Sequence, residues 1–341
     1  MIYKNMELYN VSDIIENSEG KLSLSRYPDI VRKEMWNTQI SFVCDNAEIR
    51  FKMIDDEVKL VIEYYEDRQT IVLIHHGCFK ENGNTIIKKG RNEITIKKPA
   101  NLDRLKKMED EANMPYDSEM VRIILLGGQF APPEIEGNIE LPTSLKRPQK
   151  TYLAYGSSIT SGGCAGMADM TYPSLTAWKL KAECINLGCS GSAFLEAAVA
   201  DYIAELKGID YISLELGVNM VWDSSIDNWR PPELFRERVE YFVPRIARSH
   251  KGIPIVCTDI FSGGNDIFRD KEVFEYRDIV RETALKIERQ SNNFKYVSGT
   301  DLLTTFEGLS FDQIHPTSRG MINISDNLFN YFKKCGGPAI D

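Results

Sequence analysis

The sequence lacks the long apolar runs and the leader pattern that would direct a protein into or across a membrane. No segment approaches the ~18 consecutive apolar residues of a membrane-spanning helix. The stretch MIYKNMELYNVSDIIENSEG at the N-terminus has no basic start followed by an apolar block, so a signal peptide is not expected. These absences predict a protein that has no membrane partner and that acts in the cytoplasm.

Cysteine pairs at redox or metal-binding spacing are also missing. The seven cysteines are an odd number and include no CxxC pair, which argues against both a disulfide framework and a zinc site. Thiols in a reducing compartment fit this pattern better, and this again indicates the cytoplasm. The segment 156–163 contains neither GxxxxGK[ST] nor GxGxxG, so no phosphate loop is predicted. No cofactor and no metal is expected.

Positive charge is in deficit. The formal net charge is -9 and the sequence pI is about 5.2. Because nucleic-acid binding depends on a basic surface, these values exclude a nucleic-acid partner. The length of 341 residues exceeds the usual size of one domain, so two domains are expected.

Strand-like segments dominate the first part of the chain. They are runs at 39–53 (broken at Asp45-Asn46), 58–65, 70–75, 84–87, 93–96 and 121–126. Their close spacing, with polar turns and little helical periodicity, predicts an all-β sandwich or jelly roll for residues 1–145. The charged stretch 102–111 fits either a short helix or a long loop. The stretch 141–148, which contains two prolines, is the predicted junction.

The pattern changes after the junction. Strand-like runs at 151–155, 184–187, 210–216, 253–258 and 294–298 alternate with helix-like segments. Three of these segments, beginning near residues 231, 273 and 317, have apolar residues at helical spacing. Alternating strands and helices predict an α/β domain with a parallel, doubly wound sheet for residues 146–341.

The stretch TYLAYGSSITSGG at 151–163 joins a buried strand to two serines. The apolar run stops at Gly156, and Ser157 and Ser158 follow at once. Open α/β sheets bind their ligands at the carboxyl ends of the strands, so these serines are candidate nucleophiles. Gly-Ser-Ser taken alone is also a common turn.

A serine nucleophile requires a base, and the chain has only four histidines. His75 and His76 lie in a β-like run, and His250 ends a predicted helix. His315 lies in the loop FDQIHP before the last helix, and Asp312 precedes it by three positions, so one turn would direct the carboxylate at the imidazole. A plain surface turn also explains this motif when it is taken alone. As a metal site, the Asp312–His315 pair lacks a third ligand of suitable spacing.

Two more loops that follow predicted strands offer hydrogen-bond donors. NLGCSG at 186–191 ends at Gly191 and supplies backbone N–H groups, and LGVNM at 216–220 supplies the amide of Asn219. Such donors suit the stabilisation of a developing oxyanion. Glycine and asparagine also favour ordinary turns, so only the combination is informative.

The four motifs occur in the order Gly-Ser-Ser-Ile-Thr, Asn-x-Gly-x-Ser-Gly, Gly-x-Asn and Asp-x-x-His-Pro. From about Tyr152 to the C-terminus, this arrangement resembles the SGNH (GDSL-type) hydrolases. It looks most like two-domain members with an N-terminal jelly roll, which include carbohydrate acetyl esterases and a few acyltransferases. The resemblance implies a flavodoxin-like, three-layer α/β hydrolase domain.

The resemblance also implies roles for individual residues. Ser158 matches the nucleophile, His315 the base, and Asp312 the carboxylate that orients it. The implied oxyanion donors are the backbone N–H groups of Ser158 and Gly191 and the side chain of Asn219.

Two positions depart from the family pattern. Ser157 stands where the family often has Asp before the nucleophile, and Met220 stands where Asp often follows Asn219. Neither position is the nucleophile, the base or an oxyanion donor in the family, so the implied activity is not contradicted.

The implied activity is that of a serine esterase that hydrolyses small acyl esters, acetyl esters on carbohydrates first among them, through an acyl-enzyme. An acyltransferase, a lipase-like or thioesterase-like acylhydrolase, and a non-catalytic carbohydrate-binding protein remain alternatives. Tyr172, Met220, Trp222 and Trp229 are either walls of a substrate site or ordinary packing residues. The expected partner is a small-molecule or carbohydrate ester, and the sequence leaves the oligomeric state open.

Overall fold

The computed structural model describes residues 1–221 and 231–335. The chain forms two compact units. The first comprises Met1–Arg32, Ser41–Gln149 and Met167–Asp169, and the second comprises Lys33–Ile40, Lys150–Gly166 and the chain from Met170 onward. Two short segments, 33–40 and 167–169, therefore belong to a different unit from their neighbours in the chain.

The first unit consists mainly of short strands. Their bounds are Ile2–Tyr3 (β1), Met6–Tyr9 (β2), Asp13–Glu16 (β3), Leu22–Ser25 (β4), Glu48–Met53 (β5), Glu57–Tyr64 (β6), Thr70–His76 (β7), Phe79–Lys80 (β8), Thr85–Ile87 (β9), Gly90–Lys97 (β10), Met120–Ile124 (β11), Glu134–Glu136 (β12) and Ile139–Glu140 (β13). Its helices are Asp29–Arg32 (α1) and Leu102–Glu111 (α2). The charged stretch 102–111, for which the sequence left a helix or a loop open, is thus a helix.

Two antiparallel sheets of this unit contribute to one apolar core. The larger sheet has the order β1-β2-β5-β11-β7-β8, with β13 beside β5 and β9 beside β7, and the smaller has the order β10-β6-β12. Phe51 of the larger sheet and Leu60 of the smaller belong to the same buried cluster. The predicted strand-rich character of the N-terminal region is confirmed, and its strands pair antiparallel.

One predicted strand is wrong. The alternating run at 39–44 forms a 3-10 turn at Thr38–Phe42 instead of a strand. The Asn37 side chain fixes the start of this turn, because its Oδ1 accepts the N–H of Gln39 at 3.1 Å and its Nδ2 donates to Ser192 Oγ at 2.9 Å. The hydrogen bond between Asn37 and Ser192, which are 155 positions apart in the chain, thus accompanies a turn where the local sequence pattern favours a strand.

A buried histidine lies in the core-facing strand β7 of the first unit. His75 is 5% exposed, and its Nε2 lies 3.8 Å from Asp169 Oδ2. Burial lowers the pKa of His75 to about 4, and Arg122, Lys80 and His76 act in the same direction against Glu48. Folded protein therefore takes up this proton at a lower pH than the unfolded chain does, and the unfolded state is favoured as the pH falls through the interval between the two values.

We expect His75 to reduce the free energy of unfolding as the pH falls from 6.5 to about 4. The full effect is on the order of 3 kcal/mol, since each unit of pKa difference corresponds to about 1.4 kcal/mol. Urea unfolding at several pH values gives the free energy of unfolding of the parent and of His75→Gln. We expect this free energy to fall more steeply with decreasing pH in the parent than in the variant. An equal pH dependence in the two proteins over this interval would contradict the depressed pKa of His75.

The second unit alternates strands and helices. Its strands are Lys150–Gly156 (β14), Ala182–Gly188 (β15), Tyr211–Glu215 (β16), Ile255–Thr258 (β17) and Phe294–Val297 (β18). Its helices within the described ranges are Ser158–Ser161 (α3), Tyr172–Leu180 (α4), Ala197–Glu205 (α5), Val218–Val221 (α6), Pro232–Ser249 (α7), Gly264–Phe268 (α8), Lys271–Glu288 (α9), Gly299–Leu302 (α10) and Ser318–Lys334 (α11). In the chain as a whole, further 3-10 turns occur at Pro142–Ser144, which belongs to the first unit, at Ala168–Met170 and at Phe306–Gly308.

The five strands of this unit form one parallel sheet in the order β15-β14-β16-β17-β18. Numbered along the chain this order is 2-1-3-4-5, which is the flavodoxin-like order. Side chains along a strand point alternately to the two faces of the sheet, and helices cover both faces. Tyr152 of β14 packs on Phe332 of α11 on one face, and Tyr155 of β14 packs on Phe242 of α7 on the other. The predicted α/β domain with a parallel sheet is confirmed.

The strand order places the ligand-binding edge of this unit. In a 2-1-3-4-5 sheet the chain changes direction between the first and third strands, and a crevice opens at their carboxyl ends. Here those strands are β14 and β16. The residues that follow them therefore form the natural location of a site.

All seven cysteines lie in the described ranges and carry thiols that are not joined in disulfides. Among the helices that the structure describes, none combines the length and the apolar character that a bilayer crossing requires.

Candidate active site

The first serine loop is a tight turn from strand to helix. A Cβ atom on Gly156 would lie 2.2 Å from Thr160 Oγ1 and 2.4 Å from Glu215 Oε2, so only glycine fits at the end of β14. Ser157 caps α3, because its Oγ accepts the N–H of Ile159 at 3.2 Å. Ser158 is consequently the first residue of a short helix at the carboxyl edge of the sheet.

A second loop folds an aspartate back onto a histidine. Asp312 Oδ1 accepts the N–H groups of Ile314 and His315, each at 2.9 Å, and the hydroxyl of Ser310 at 2.7 Å. The N–H of Ser310 donates to the carbonyl of His315 at 2.8 Å and closes the loop. This local turn leaves Asp312 Oδ2 facing His315 Nδ1 at 2.7 Å.

The two loops meet at the histidine ring. His315 Nε2 lies 2.6 Å from Ser158 Oγ, while Nδ1 faces Asp312. A carboxylate on one side requires a proton on Nδ1, and Nε2 is then free to accept the hydroxyl proton of Ser158. The structure thus brings together the three residues that the sequence suggested as nucleophile, base and orienting carboxylate.

Asp312 remains ionised in this arrangement. Partial burial by itself would raise the pKa of Asp312, but hydrogen bonds from the His315 backbone, the Ser310 hydroxyl and the Ile314 N–H outweigh it and hold the pKa well below its ordinary value. A carboxylate that stays negative lies beside the ring nitrogen Nδ1. This is the electrostatic support that a general base needs after it has taken a proton.

Three hydrogen-bond donors follow the strands at the edge of the sheet that carries Ser158. The backbone N–H groups of Ser158 and Gly191 have no hydrogen-bond partner among residues 1–221 and 231–335. Asn219 lies in α6, and its Oδ1 accepts the N–H of Ala193 at 3.1 Å, which fixes the amide plane; its NH₂ group donates to no residue of the described ranges. These donors follow three adjacent strands, β14, β15 and β16, so they share one edge of the sheet.

A buried carboxylate lies under the serine turn, and the sequence reasoning missed it. Glu215 ends β16 and is 1% exposed. Its Oε2 accepts the N–H of Ser157 at 2.6 Å and the hydroxyl of Thr160 at 3.1 Å. The sequence signal was an acidic residue at the end of the otherwise apolar run YISLE, just before the Gly-x-Asn motif.

The family follows from a match over residues 149–333, which is more than half of the chain. The model that matches describes the "GDSL-like Lipase/Acylhydrolase family". The chain belongs to the GDSL-like lipase/acylhydrolase family. It is therefore an ester-hydrolysing enzyme, and the resemblance drawn from the four sequence motifs is confirmed.

Solved structures of similar fold cover both units of this GDSL-like protein. A salicylyl-acyltransferase, SsfX3, from a tetracycline biosynthetic pathway has a TM-score of 0.75 at 16% identity, with 98% of this chain and 95% of that one covered. A family two carbohydrate esterase from Cellvibrio japonicus has a TM-score of 0.61 at 15% identity, covering 98% and 96%. The acetyl xylan esterase Est2A from Butyrivibrio proteoclasticus has a TM-score of 0.53 at 11% identity, covering 97% and 96%. These identities establish a shared fold. No curated protein matches the sequence.

Two of the four suggested wall residues are core residues of this acylhydrolase. Tyr172 is 1% exposed, and its hydroxyl lies 2.7 Å from Thr160 Oγ1, while Met220 is fully buried. Their burial corresponds to the packing alternative. Trp222 and Trp229 lie outside the described residues.

A third potential metal ligand stands beside the Asp–His pair of the GDSL-like site. Cys164 is exposed, and one ligand atom of each of Cys164, Asp312 and His315 lies within 4.8 Å of the other two. Residue spacing did not reveal this cysteine. In the arrangement described, the imidazole already binds Asp312 and Ser158 through its two nitrogens. That no metal takes part in the reaction stays a prediction.

Proposed function

We propose that this acylhydrolase is a serine esterase that removes small acyl groups, acetyl groups on carbohydrates first among them, with Ser158, His315 and Asp312 as its catalytic triad. The observation that carries the proposal is the continuous hydrogen-bonded chain from Ser158 Oγ to His315 (2.6 Å) and on to Asp312 (2.7 Å). The similar structures, which include an acetyl xylan esterase and family two carbohydrate esterases, support the substrate class.

In the first half-reaction Ser158 Oγ attacks the carbonyl carbon of the ester, and its proton passes to His315 Nε2. The imidazolium that forms is stabilised by Asp312. When the tetrahedral intermediate collapses, the bond to the alcohol oxygen breaks and Nε2 returns its proton to that oxygen. The products of this step are the free alcohol and an acyl group on Ser158.

The second half-reaction repeats these steps with water as the nucleophile. His315 takes a proton from water, the hydroxide attacks the acyl carbon, and the proton returns to Ser158 Oγ as the carboxylic acid leaves. In both halves the negative oxygen is held by the N–H groups of Ser158 and Gly191 and by the Asn219 amide. Donors that are held in place before the reaction begins require no reorganisation during it.

Asn219→Ala is expected to lower kcat by ~10²–10³-fold with a smaller change in KM, because one oxyanion donor is removed. Steady-state hydrolysis of p-nitrophenyl acetate measures both parameters. Asn219→Asp keeps the Oδ1 that Ala193 needs but replaces the donor by an acceptor, and should be impaired at least as strongly. Parent-like kcat in both variants would remove Asn219 from the oxyanion site.

A fluorophosphonate probe tests the proposed nucleophile directly. The parent protein should take up one probe molecule per chain, and Ser158→Ala should take up none. Mass analysis of the labelled peptide should locate the probe on Ser158. An unlabelled parent, or a label that persists in Ser158→Ala, would overturn the serine mechanism and would favour the non-catalytic carbohydrate-binding alternative.

Acyl transfer to an alcohol other than water is a second candidate, supported by the similarity to a salicylyl-acyltransferase. The catalytic groups serve both reactions, because only the second nucleophile differs. Incubation with acetylated sugars and with longer acyl esters, each with and without acceptor alcohols, separates the two. Esterase action predicts free acid as the main product, whereas a transferase forms the new ester at the expense of free acid. Ser158→Ala is the control in every reaction.

A further inference from the structure

The nucleophile turn rests on a carboxylate that takes no part in the mechanism above. Glu215 Oε2 accepts one hydrogen bond from the backbone of Ser157 and one from the side chain of Thr160, at 2.6 Å and 3.1 Å. These donors lie one position before and two positions after Ser158. The carboxylate therefore binds both sides of the turn that carries the nucleophile, although it comes from a different strand.

The N–H groups on either side of Ser158 are already engaged. The N–H of Ser157 donates to Glu215, and the N–H of Ile159 donates to Ser157 Oγ. Between them the N–H of Ser158 has no partner in the described part of the chain. Of these three consecutive N–H groups, the one that remains for the oxyanion is that of the nucleophile itself.

Space around the carboxylate is tight. A Cβ on Gly156 would lie 2.4 Å from Glu215 Oε2, so the end of β14 is pressed against it. On the other side, the Thr160 hydroxyl that donates to Oε2 is also in contact with the Tyr172 hydroxyl at 2.7 Å. A side chain held on both sides cannot move without moving the turn.

We propose that Glu215 is a positioning residue of the active site. Its carboxylate oxygen holds the backbone at Ser157, and this sets the direction of both the Ser158 hydroxyl towards His315 and the Ser158 N–H towards the oxyanion. The inference rests on the proposed serine mechanism.

The positioning role depends on an acceptor oxygen and not on charge. Burial raises the pKa of Glu215, while hydrogen bonds from Ser157 and Thr160 oppose this rise. Oε1 is buried and has no hydrogen-bond partner in the described residues. Oε2 accepts both hydrogen bonds whether or not Oε1 carries a proton, so an amide oxygen at the same position should serve as well.

Three substitutions separate these properties. Glu215→Gln keeps an acceptor of the same shape, Glu215→Asp withdraws the acceptor by one methylene, and Glu215→Leu removes it. We expect kcat per active site to stay within about 3-fold of the parent for Gln, to fall about 10-fold for Asp, and to fall about 10²-fold for Leu. Displacing a reacting group by about 1 Å costs this much, and KM should change little in each case.

The control is Ser325→Ala, which removes buried hydrogen bonds between two helices of the same unit. Ser325 of α11 is buried, and its Oγ accepts hydrogen bonds from Thr176 Oγ1 at 3.2 Å and from Lys179 Nζ at 2.8 Å, both on α4. Fluorophosphonate titration gives the number of competent sites in each preparation, so kcat is expressed per labelled serine. A purely structural role lowers the number of competent sites and the melting temperature, but it does not change kcat per site. Ser325→Ala should behave in this way.

Two results would overturn the proposal. One is a kcat per site in Glu215→Asp and Glu215→Leu equal to that of Ser325→Ala. The other is a Glu215→Gln enzyme as slow as Glu215→Leu, because charge and not the acceptor would then be required. Glu215→Asp keeps the test decisive if the leucine variant does not fold. In either case the parent is still labelled on Ser158, whereas failure of the serine mechanism itself appears as an unlabelled parent.

Discussion

Ser158→Ala is expected to lower kcat/KM for p-nitrophenyl acetate by at least about 10⁴-fold, since the acyl-enzyme can no longer form. The residual rate should come only from the oxyanion donors and substrate binding. Ser158 is half-buried at the start of a four-residue helix, and its Oγ contacts His315, so the hydroxyl contributes little to the core. Steady-state kinetics together with a thermal melt would show a folded protein that has lost its activity.

The neighbouring hydroxyl offers a matched control. Ser157→Ala removes the cap on the N–H of Ile159, which should cost about 1 kcal/mol of stability while the nucleophile stays in place. The kcat of Ser157→Ala should fall only slightly, because the turn loses a cap but keeps the nucleophile. If Ser157→Ala abolished hydrolysis and Ser158→Ala did not, Ser157 would be the nucleophile and the assignment of roles would be wrong.

Asp312→Asn is expected to lower kcat by about 10³–10⁴-fold with the fold preserved. Three donors, from Ser310, Ile314 and His315, hold Oδ1 of this side chain, so the asparagine should keep its oxygen there. Its NH₂ group then faces His315 Nδ1. That nitrogen must become the acceptor, the ring proton moves to Nε2, and the ring can no longer accept the proton of Ser158.

A second variant and the rate of fluorophosphonate labelling distinguish this explanation from loop damage. Ser310→Ala removes one of the three donors to Oδ1 but leaves the contact between Asp312 and the ring, so it should reduce kcat far less. Fluorophosphonate labelling of Asp312→Asn should be slowed in parallel with hydrolysis, because both require an activated serine. Equal kcat values for Asp312→Asn and the parent would show that the carboxylate is not needed to fix the tautomer.

Local patterns predicted the parts of the site that are built locally. The turn that aims Asp312 at His315 closes within six residues, 310–315, through hydrogen bonds to its own backbone, so the spacing of the two side chains was sufficient. The same holds for Ser158, which starts a helix directly after a strand. The parallel sheet was also predictable, since alternating strand and helix periods follow from the periodicity of apolar residues.

Contacts between distant segments were not predictable in this way. Glu215 lies 58 positions from Ser157, to which it binds, and its residue type at the end of an apolar strand does not reveal which turn it meets. Cys164 approaches Asp312 and His315 only because two loops converge. The run at 39–44 alternates like a strand but forms a turn held by Asn37 and Ser192.

The sequence by itself determined the alternation of strands and helices, the order of the four motifs and the hydrogen-bonded turn between Asp312 and His315, because each depends on residues close together in the chain. The tertiary structure decided that Ser158 and His315, 157 positions apart, lie 2.6 Å from each other, and that Glu215 supports the turn between β14 and α3. Strand order sets these distances, and strand order follows from how the whole sheet packs against its helices on both faces.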